Sequence, residues 1–308
     1  MKVTILAGGT GGTKLAHGFA QLPDVELTVI ANVGDDVEMH GHLVCPDIDA
    51  LLYTLSGLID AQQGWGVRGD THTAHAMFER LGEPTWFRIG DADLATHSHR
   101  AHLLREGLSL TDAVATTASE LGISARILPA SDERWRTLLE TDAGSMEFQE
   151  YFVRRRQEPE VRAVRFDGDA GPTPDMLDAI AEGDLVVIGP SNPIVSIGPV
   201  LALPGVMEAL QASRAPVVAV SPIVAGRALK GPADRMLGSL GHDSSALGVA
   251  RIYAGTARTF VIDDADAEQA AAIGDETGLK VVVQPTVMRS DDDRRVLAAS
   301  LLALQPDG

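Results

Sequence analysis

The chain has 308 residues, enough for a large core in one or two domains. Its 43 acidic against 25 basic residues give a net charge of -18, which excludes non-specific nucleic-acid binding and docking on anionic lipid, since both rest on Lys and Arg. One cysteine, Cys45, permits no internal disulfide, no apolar run reaches membrane-spanning length, and the N-terminus reads as a strand instead of a leader, so a cytoplasmic protein is expected.

The first strand candidate, Val3–Leu6, breaks into Gly8-Gly9-Thr10-Gly11-Gly12-Thr13-Lys14, and a helical pattern runs over Lys14–Gln21. Unpaired N–H groups at a helix start attract phosphate oxygens, and glycines let the backbone come close. The order Gly12-Thr13-Lys14 is not that of a P-loop. Lys14 stands where a dinucleotide fingerprint needs its third glycine, and Asp35-Asp36 lies beyond the place of a ribose-binding acid. The bland alternative is a glycine turn that only lets the first helix pack.

A second strand, Leu27–Ala31, leads into Asn32-Val-Gly-Asp-Asp36. From about Pro46 to Gly122 the pattern is nearly all helical, with candidates Asp47–Ile59, Thr73–Leu81, Leu94–Arg105 and Thr111–Leu121. Residues Arg126 to Phe166 mix short strands, Val161–Phe166 among them, with a charged helix, Met146–Arg155. The C-terminal half alternates strands Leu185–Ile188, Val217–Val220, Thr259–Ile262 and Lys280–Val283 with helical segments. Such alternation implies parallel crossovers. The expected fold is α/β, a Rossmann-like, doubly wound, mostly parallel sheet. It forms a single domain over residues 1–308 with a largely helical or mixed subdomain inserted at about 46–170.

Ligands of open α/β sheets bind beyond the carboxyl ends of strands. Polar loops fall there four times: the glycine turn, Asn32–Asp36, Gly189-Pro-Ser191-Asn192-Pro193 and Ser221-Pro-Ile223. Asp35, Asp36, Asp47, Asp49, Asp70, Asp91 and Asp93 form an acidic concentration. Asp47 and Asp93 read as helix caps, whereas Asp36, Asp49 and Asp91 are candidates for a ligand role, since Mg²⁺ takes one or two carboxylates together with substrate phosphates. Seven of nine histidines lie between His40 and His102, yet none shows zinc-site spacing, and His97 reads as a donor beside a phosphate or a ring. Trp65 and Trp86-Phe87 are core residues by default and otherwise a wall for a flat ring.

Taken in order, Gly8–Leu15, Asn32–Asp36, Pro46-Asp-Ile-Asp49, Gly64-Trp-Gly66 with Gly69-Asp-Thr71, Trp86–His97, Phe148-Gln-Glu-Tyr-Phe152, Gly189–Ile194 and Ser221–Ile223 closely resemble the 2-phospho-L-lactate transferase family of coenzyme F-420 biosynthesis, including its phosphoenolpyruvate-using members. The resemblance covers nearly the whole chain. It implies a Mg²⁺-dependent transferase that moves a phospho-linked three-carbon acid from a guanosine diphosphate ester to the ribityl hydroxyl of Fo, a deazaflavin, releasing GMP. It also implies a homodimer, and it matches Asp49 and Arg88 to family positions that contact Fo.

On this reading Gly8, Gly9, Thr10, Gly11, Gly12 and Lys14, with Ser191, Asn192 and Ser221, hold the nucleotide. Asp35, Asp36 and Asp91 are the metal candidates, and Asp49 and Asp36 the catalytic ones. Thr13, Ala50 and His72 depart from the family's usual residues, the last two beside the Fo site. The competing readings are a non-enzymatic regulator that binds a sugar nucleotide and a nicotinamide-dependent dehydrogenase. The identity of the acid leaves no linear motif.

Overall fold

The computed structural model describes residues 1–304. The chain opens with β1 (Lys2–Ala7), α1 (Gly9–Ala20) and β2 (Glu26–Ala31), then a small antiparallel pair, β3 (Val37–Met39) and β4 (His42–Val44). Helices α2 (Pro46–Leu55), α3 (Thr73–Arg80), α4 (Asp91–Arg105) and α5 (Leu110–Glu120) precede β5 (Arg126–Pro129). A separate antiparallel sheet follows, β6 (Arg136–Thr141), β7 (Gly144–Glu147) and β8 (Val161–Asp167), with a π-helical turn at Glu150–Arg154. The C-terminal half runs through α6 (Pro174–Glu182), β9 (Leu185–Ile188), α7 (Gly198–Leu201), α8 (Val206–Ala212) and β10 (Val217–Val220). A short hairpin, β11 (Ile223–Val224) and β12 (Arg227–Ala228), leads to α9 (Ala233–Ser239), α10 (Ala246–Tyr253), β13 (Thr259–Ile262), α11 (Ala270–Thr277), β14 (Lys280–Val283) and α12 (Asp291–Leu302).

Seven strands form the central sheet in the order β14-β13-β10-β9-β1-β2-β5, all parallel, as the doubly wound α/β reading expects. Strands β9, β10 and β13 are four-residue runs, apolar but for Thr259 and buried at every position, because helices cover both faces of a parallel sheet. The chain starts in the middle at β1, winds outward to β5, then returns to β9 and winds the other way. The connections therefore diverge between β1 and β9, and a crevice opens at their carboxyl ends. Among the described residues, no helix is long and apolar enough to cross a membrane.

Two elements differ from the sequence reading. Arg126–Pro129, inside the expected insertion, pairs with β2 as the edge of the central sheet. Four residues show too little periodicity to detect, and an edge tolerates the proline. The expected helix Met146–Arg155 is split between β7, which hairpins with β6 through Gly144 at φ 106°, and the π-helical turn.

Candidate active site

Helix α1 begins at Gly9, so the glycines form its first turn instead of a loop before it. Two of them serve close packing. A Cβ on Gly11 would lie 1.9 Å from the Pro190 carbonyl oxygen, and one on Gly12 would lie 2.7 Å from Ser191 Oγ and 2.9 Å from Ala7 Cα. These contacts press α1 against the loop after β9, across the crevice. Gly9 has φ +61°, and a Cβ there would lie 3.6 Å from Ser196 Oγ, an ordinary contact. Among the described residues, no side chain accepts a hydrogen bond from the amides of Thr10, Gly11 or Gly12.

The Gly9 amide donates to Asp47 Oδ1 at 2.5 Å. Asp47 was expected to cap its own helix, but Cys45 holds the N-cap position of α2 without a side-chain cap, and the Asp47 carboxylate instead reaches across to α1. Its other oxygen accepts from Asn32 Nδ2 at 3.0 Å, and the same amide nitrogen donates to Asp35 Oδ1 at 2.8 Å. Gln149, at the start of the π-helical turn, donates to Asp35 Oδ2 at 3.0 Å. A buried chain of hydrogen bonds thus runs from the α1 N-terminus through Asp47, Asn32 and Asp35 to the small sheet. Burial raises the pKa of Asp35 well above the carboxylate range, with the Asp47 and Asp36 charges adding to it. Burial likewise raises Asp47, partly offset by its bonds from Asn32 and Gly9. Burial pushes Asp36 up to about 8, against the pull of the Cys45 thiol and Arg100, and its Oδ1 has no hydrogen-bond partner.

Asp49 is handled in the opposite way. Its oxygens accept from Arg100 Nη2, from Arg100 Nη1 at 3.4 Å, from His97 Nε2 at 3.2 Å and from the Cys45 amide at 3.2 Å. Burial alone would raise its pKa, but the Arg100 guanidinium and His97 overcome that and hold it at about 2. His97 also lies 3.3 Å from Asp93 Oδ1, which accepts from Tyr53 Oη at 2.7 Å. Desolvation works against an imidazolium here, yet Asp49 and Asp93 together raise His97 to about 9. Asp93 therefore does not cap α4. Asp70 does, accepting from the Ala92 and Asp93 amides at 2.8 and 3.0 Å. Asp91 reciprocates by accepting from Thr71 Oγ1 at 2.5 Å and from the Thr73 and Ala74 amides at 3.0 and 2.9 Å, at the start of α3.

A cavity of about 210 Å³ opens beside this network, lined by Trp65, Val67, Asp70, His72, Arg88 and Asp93 among others. Arg88 is exposed, 3.4 Å from His72 Nδ1, and pairs with no carboxylate among the described residues. Trp65 is 46% exposed at the cavity, a flat face available to a ring. Trp86 and Phe87 instead pack on a small core of Val37, Met39, Val44 and Ile89, the default reading for aromatics.

The structure thus gathers Gly8–Gly12, Ser191, Asp35, Asp36 and Asp47 at the switch crevice, and Arg88 with Asp93 at the cavity. Other expected residues point elsewhere. Lys14 donates to the Met288 carbonyl at 3.0 Å, and Arg294 and Lys230 stand near enough to repel its charge. Asn192 turns inward, accepting from the Ile194 amide, and Ser221 closes a turn on Ile223. Asp91 is spent on α3. Arg100, Tyr53 and Gln149 were not singled out from sequence, although Gln149 lies in a quoted segment, and Asp70 was noted only as one of the acidic residues. Their partners are 23 to 114 positions away, and no linear spacing encodes such pairs. Among the described residues, no group of three or more His, Cys, Asp or Glu is arranged as a metal site.

Residues 3–301 match the family model described as 2-phospho-L-lactate transferase CofD. A 2-phospho-L-lactate transferase of Methanothermobacter thermautotrophicus is 41% identical over 97% of this chain and 97% of its own length. One of Methanococcoides burtonii is 39% identical over 97% and 98%. A phosphoenolpyruvate transferase of Streptomyces griseus is 38% identical over 99% and 98%. Among solved structures, a Bacillus halodurans protein of the UPF0052 family covers 98% of both chains with a TM-score of 0.68 at 17% identity, a likeness of fold alone.

Proposed function

The chain belongs to the 2-phospho-L-lactate transferase family, and from that premise we propose that it transfers a phospho-linked three-carbon acid from a guanosine diphosphate ester to the ribityl hydroxyl of Fo. The hydroxyl oxygen bonds to the phosphorus that carries the acid, the bond from that phosphorus to the GMP oxygen breaks, GMP leaves and the hydroxyl proton is released. The observation that carries this reading is the adjacency of two differently built sites. The crevice between β1 and β9 offers unclaimed helix-start amides for phosphate oxygens. The neighbouring cavity offers an exposed tryptophan and an unpaired arginine for a flat, oxygen-bearing ring.

Transfers of this kind depend on positioning and on neutralising phosphate charge. Asp49 suits orientation and not proton removal, because a carboxylate held at about 2 with every oxygen engaged is a weak base. Arg88 would bind a ring oxygen of Fo. Mg²⁺ arriving with the donor phosphates would be met by Asp35 and Asp36, since one or two carboxylates suffice where phosphates supply further ligands, and Asp36 Oδ1 is buried without a hydrogen-bond partner. Bound there, Mg²⁺ would offset phosphate charge that a chain of net charge -18 offsets poorly. A homodimer in the cytoplasm is part of the same proposal and rests on family resemblance.

Calorimetric titration with Fo and with GDP, each with and without Mg²⁺, tests the proposal. Binding of both ligands, followed by GMP release from a lactyl, enolpyruvyl or glyceryl donor, is the expected result. Binding of neither, with a uridine-diphosphate sugar bound instead, would overturn it.

A further inference from the structure

Residues 60–66 form one wall of the 210 Å³ cavity, which Asp60, Gln63, Trp65 and Gly66 all line. This turn is held together almost wholly from within. The Asp60 amide donates to the Gly66 carbonyl at 3.0 Å, and the Gly64 amide donates to the Asp60 carbonyl at 2.7 Å. The Asp60 carboxylate accepts from the Gln62 and Gln63 amides and from Gln63 Nε2 at 2.9, 3.1 and 3.0 Å. These bonds give the turn its shape but do not fix where it stands against the rest of the protein. Trp65 does not fix it either, since it belongs to none of the buried clusters among the described residues. One hydrogen bond reaches residues 60–66 from outside among the described residues. Lys230 Nζ, just beyond β12, donates to the Gln63 carbonyl at 3.1 Å, across 167 positions. The ammonium also fits the backbone it meets. Gly64 has φ +76°, and a Cβ there would lie 2.4 Å from Lys230 Nζ, so the bare Cα is what admits the charge. Gly66, on the other side of Trp65, is also left-handed at φ +69°, but nothing lies within 4 Å of a Cβ there.

We propose that Lys230 is a positioning residue for the acceptor: by tethering the Gln63–Gly64 turn it sets where the Trp65 indole stands at the cavity, and so how tightly a flat ring is held, without touching either substrate. A wall fixed before the ligand arrives does not have to be ordered by it, and that saving appears as affinity. The tether joins the C-terminal half of the chain to the segment between α2 and α3, so the acceptor wall is set from the core and not only by its own hairpin. Lys230 also stands near Lys14 of α1, so the competing role is contact with a donor phosphate. The two roles separate by substrate: a tether acts on the acceptor, a phosphate ligand on the donor. This inference rests on the reading of the cavity as the acceptor site.

The test uses the full chain with K230M, which keeps an unbranched side chain and removes the donor. In ligand-free protein labelled with fluorotryptophan, the fluorine NMR signal of Trp65, assigned by its loss in W65F, should shift while those of Trp86 and Trp135 stay in place. In steady state, KM for Fo should rise about tenfold, with kcat and the KM of the guanosine diphosphate ester unchanged. G64A, which displaces the ammonium, should raise KM for Fo beyond G66A, whose added carbon brings backbone strain alone. An unmoved Trp65 signal overturns the proposal. So does a donor KM that rises as much as that for Fo, which would make Lys230 a ligand of the donor. If the wild type binds no Fo while the Trp65 signal still shifts in K230M, the reading of the cavity fails and the tether stands.

Discussion

Replacing His97 with Gln should change how stability depends on pH, not merely lower it. The imidazole is 1% exposed, with Nε2 between Asp49 at 3.2 Å and Asp93 at 3.3 Å, while Arg100 and Tyr53 close the network. Desolvation opposes its charge, but the two carboxylates raise its pKa from 6.5 to about 9. A group whose pKa is raised by folding contributes its full stability below the unfolded value. That contribution is lost as pH climbs through the window from 6.5 to about 9. The displacement corresponds to roughly 3 kcal/mol. This is a ceiling, because Nδ1 is buried without a partner and an imidazolium must carry a donor there. Urea unfolding of wild type and H97Q should therefore differ by roughly 2–3 kcal/mol near pH 6 and converge toward about pH 9.5. Parallel pH slopes in the two proteins would show that His97 is not the imidazolium that bridges Asp49 and Asp93.

Gly11→Ala should destabilise the fold by roughly 2–3 kcal/mol in thermal or urea melts, since its Cβ would meet a backbone carbonyl at 1.9 Å that cannot turn aside. Gly9→Ala has room, with Ser196 Oγ at 3.6 Å, so only its left-handed backbone resists, by roughly 1–2 kcal/mol. Arg88→Met should leave the melting temperature unchanged and weaken Fo binding by roughly 10- to 100-fold in fluorescence titration, the loss of one or two charge-assisted hydrogen bonds. Asp91→Asn should speed hydrogen exchange at the Thr73 and Ala74 amides without changing Mg²⁺ affinity, and a tenfold loss of that affinity would return Asp91 to the metal site.

What sequence disclosed was set by range. The strands β1, β9, β10 and β13 were readable because a strand covered on both faces is predominantly apolar, and the local run says so. Arg126–Pro129 was not readable as a strand of the central sheet, because its place at the edge is a fact about its partner β2. The glycine turn was legible as a close-approach device, but not which approach each glycine serves: Gly11 and Gly12 admit the Pro190–Ser191 loop, and Gly9 bonds to Asp47. Asp47 and Asp93 sit at helix starts, where a cap is the local expectation, yet both are drawn off by distant partners, Gly9 and Asn32 in one case and Tyr53 and His97 in the other. Local rules fail where a carboxylate is buried, because the strongest available donor then decides its role.

That same rule separates the carboxylates by role. Asp49 has Arg100 and His97 and stays charged, so it can orient a neighbour at any physiological pH but cannot take a proton. Asp35 and Asp47 are as deeply buried and have only amides and neighbouring acids, and Asp36 has the Cys45 thiol with a weaker pull from Arg100 and Arg136, so burial wins against their charge. A fold that wanted only stability would have replaced them with apolar residues or paired them with a basic one. Retaining three unpaired acids next to unclaimed helix-start amides makes sense where the missing positive charge arrives from outside together with the phosphate it must neutralise.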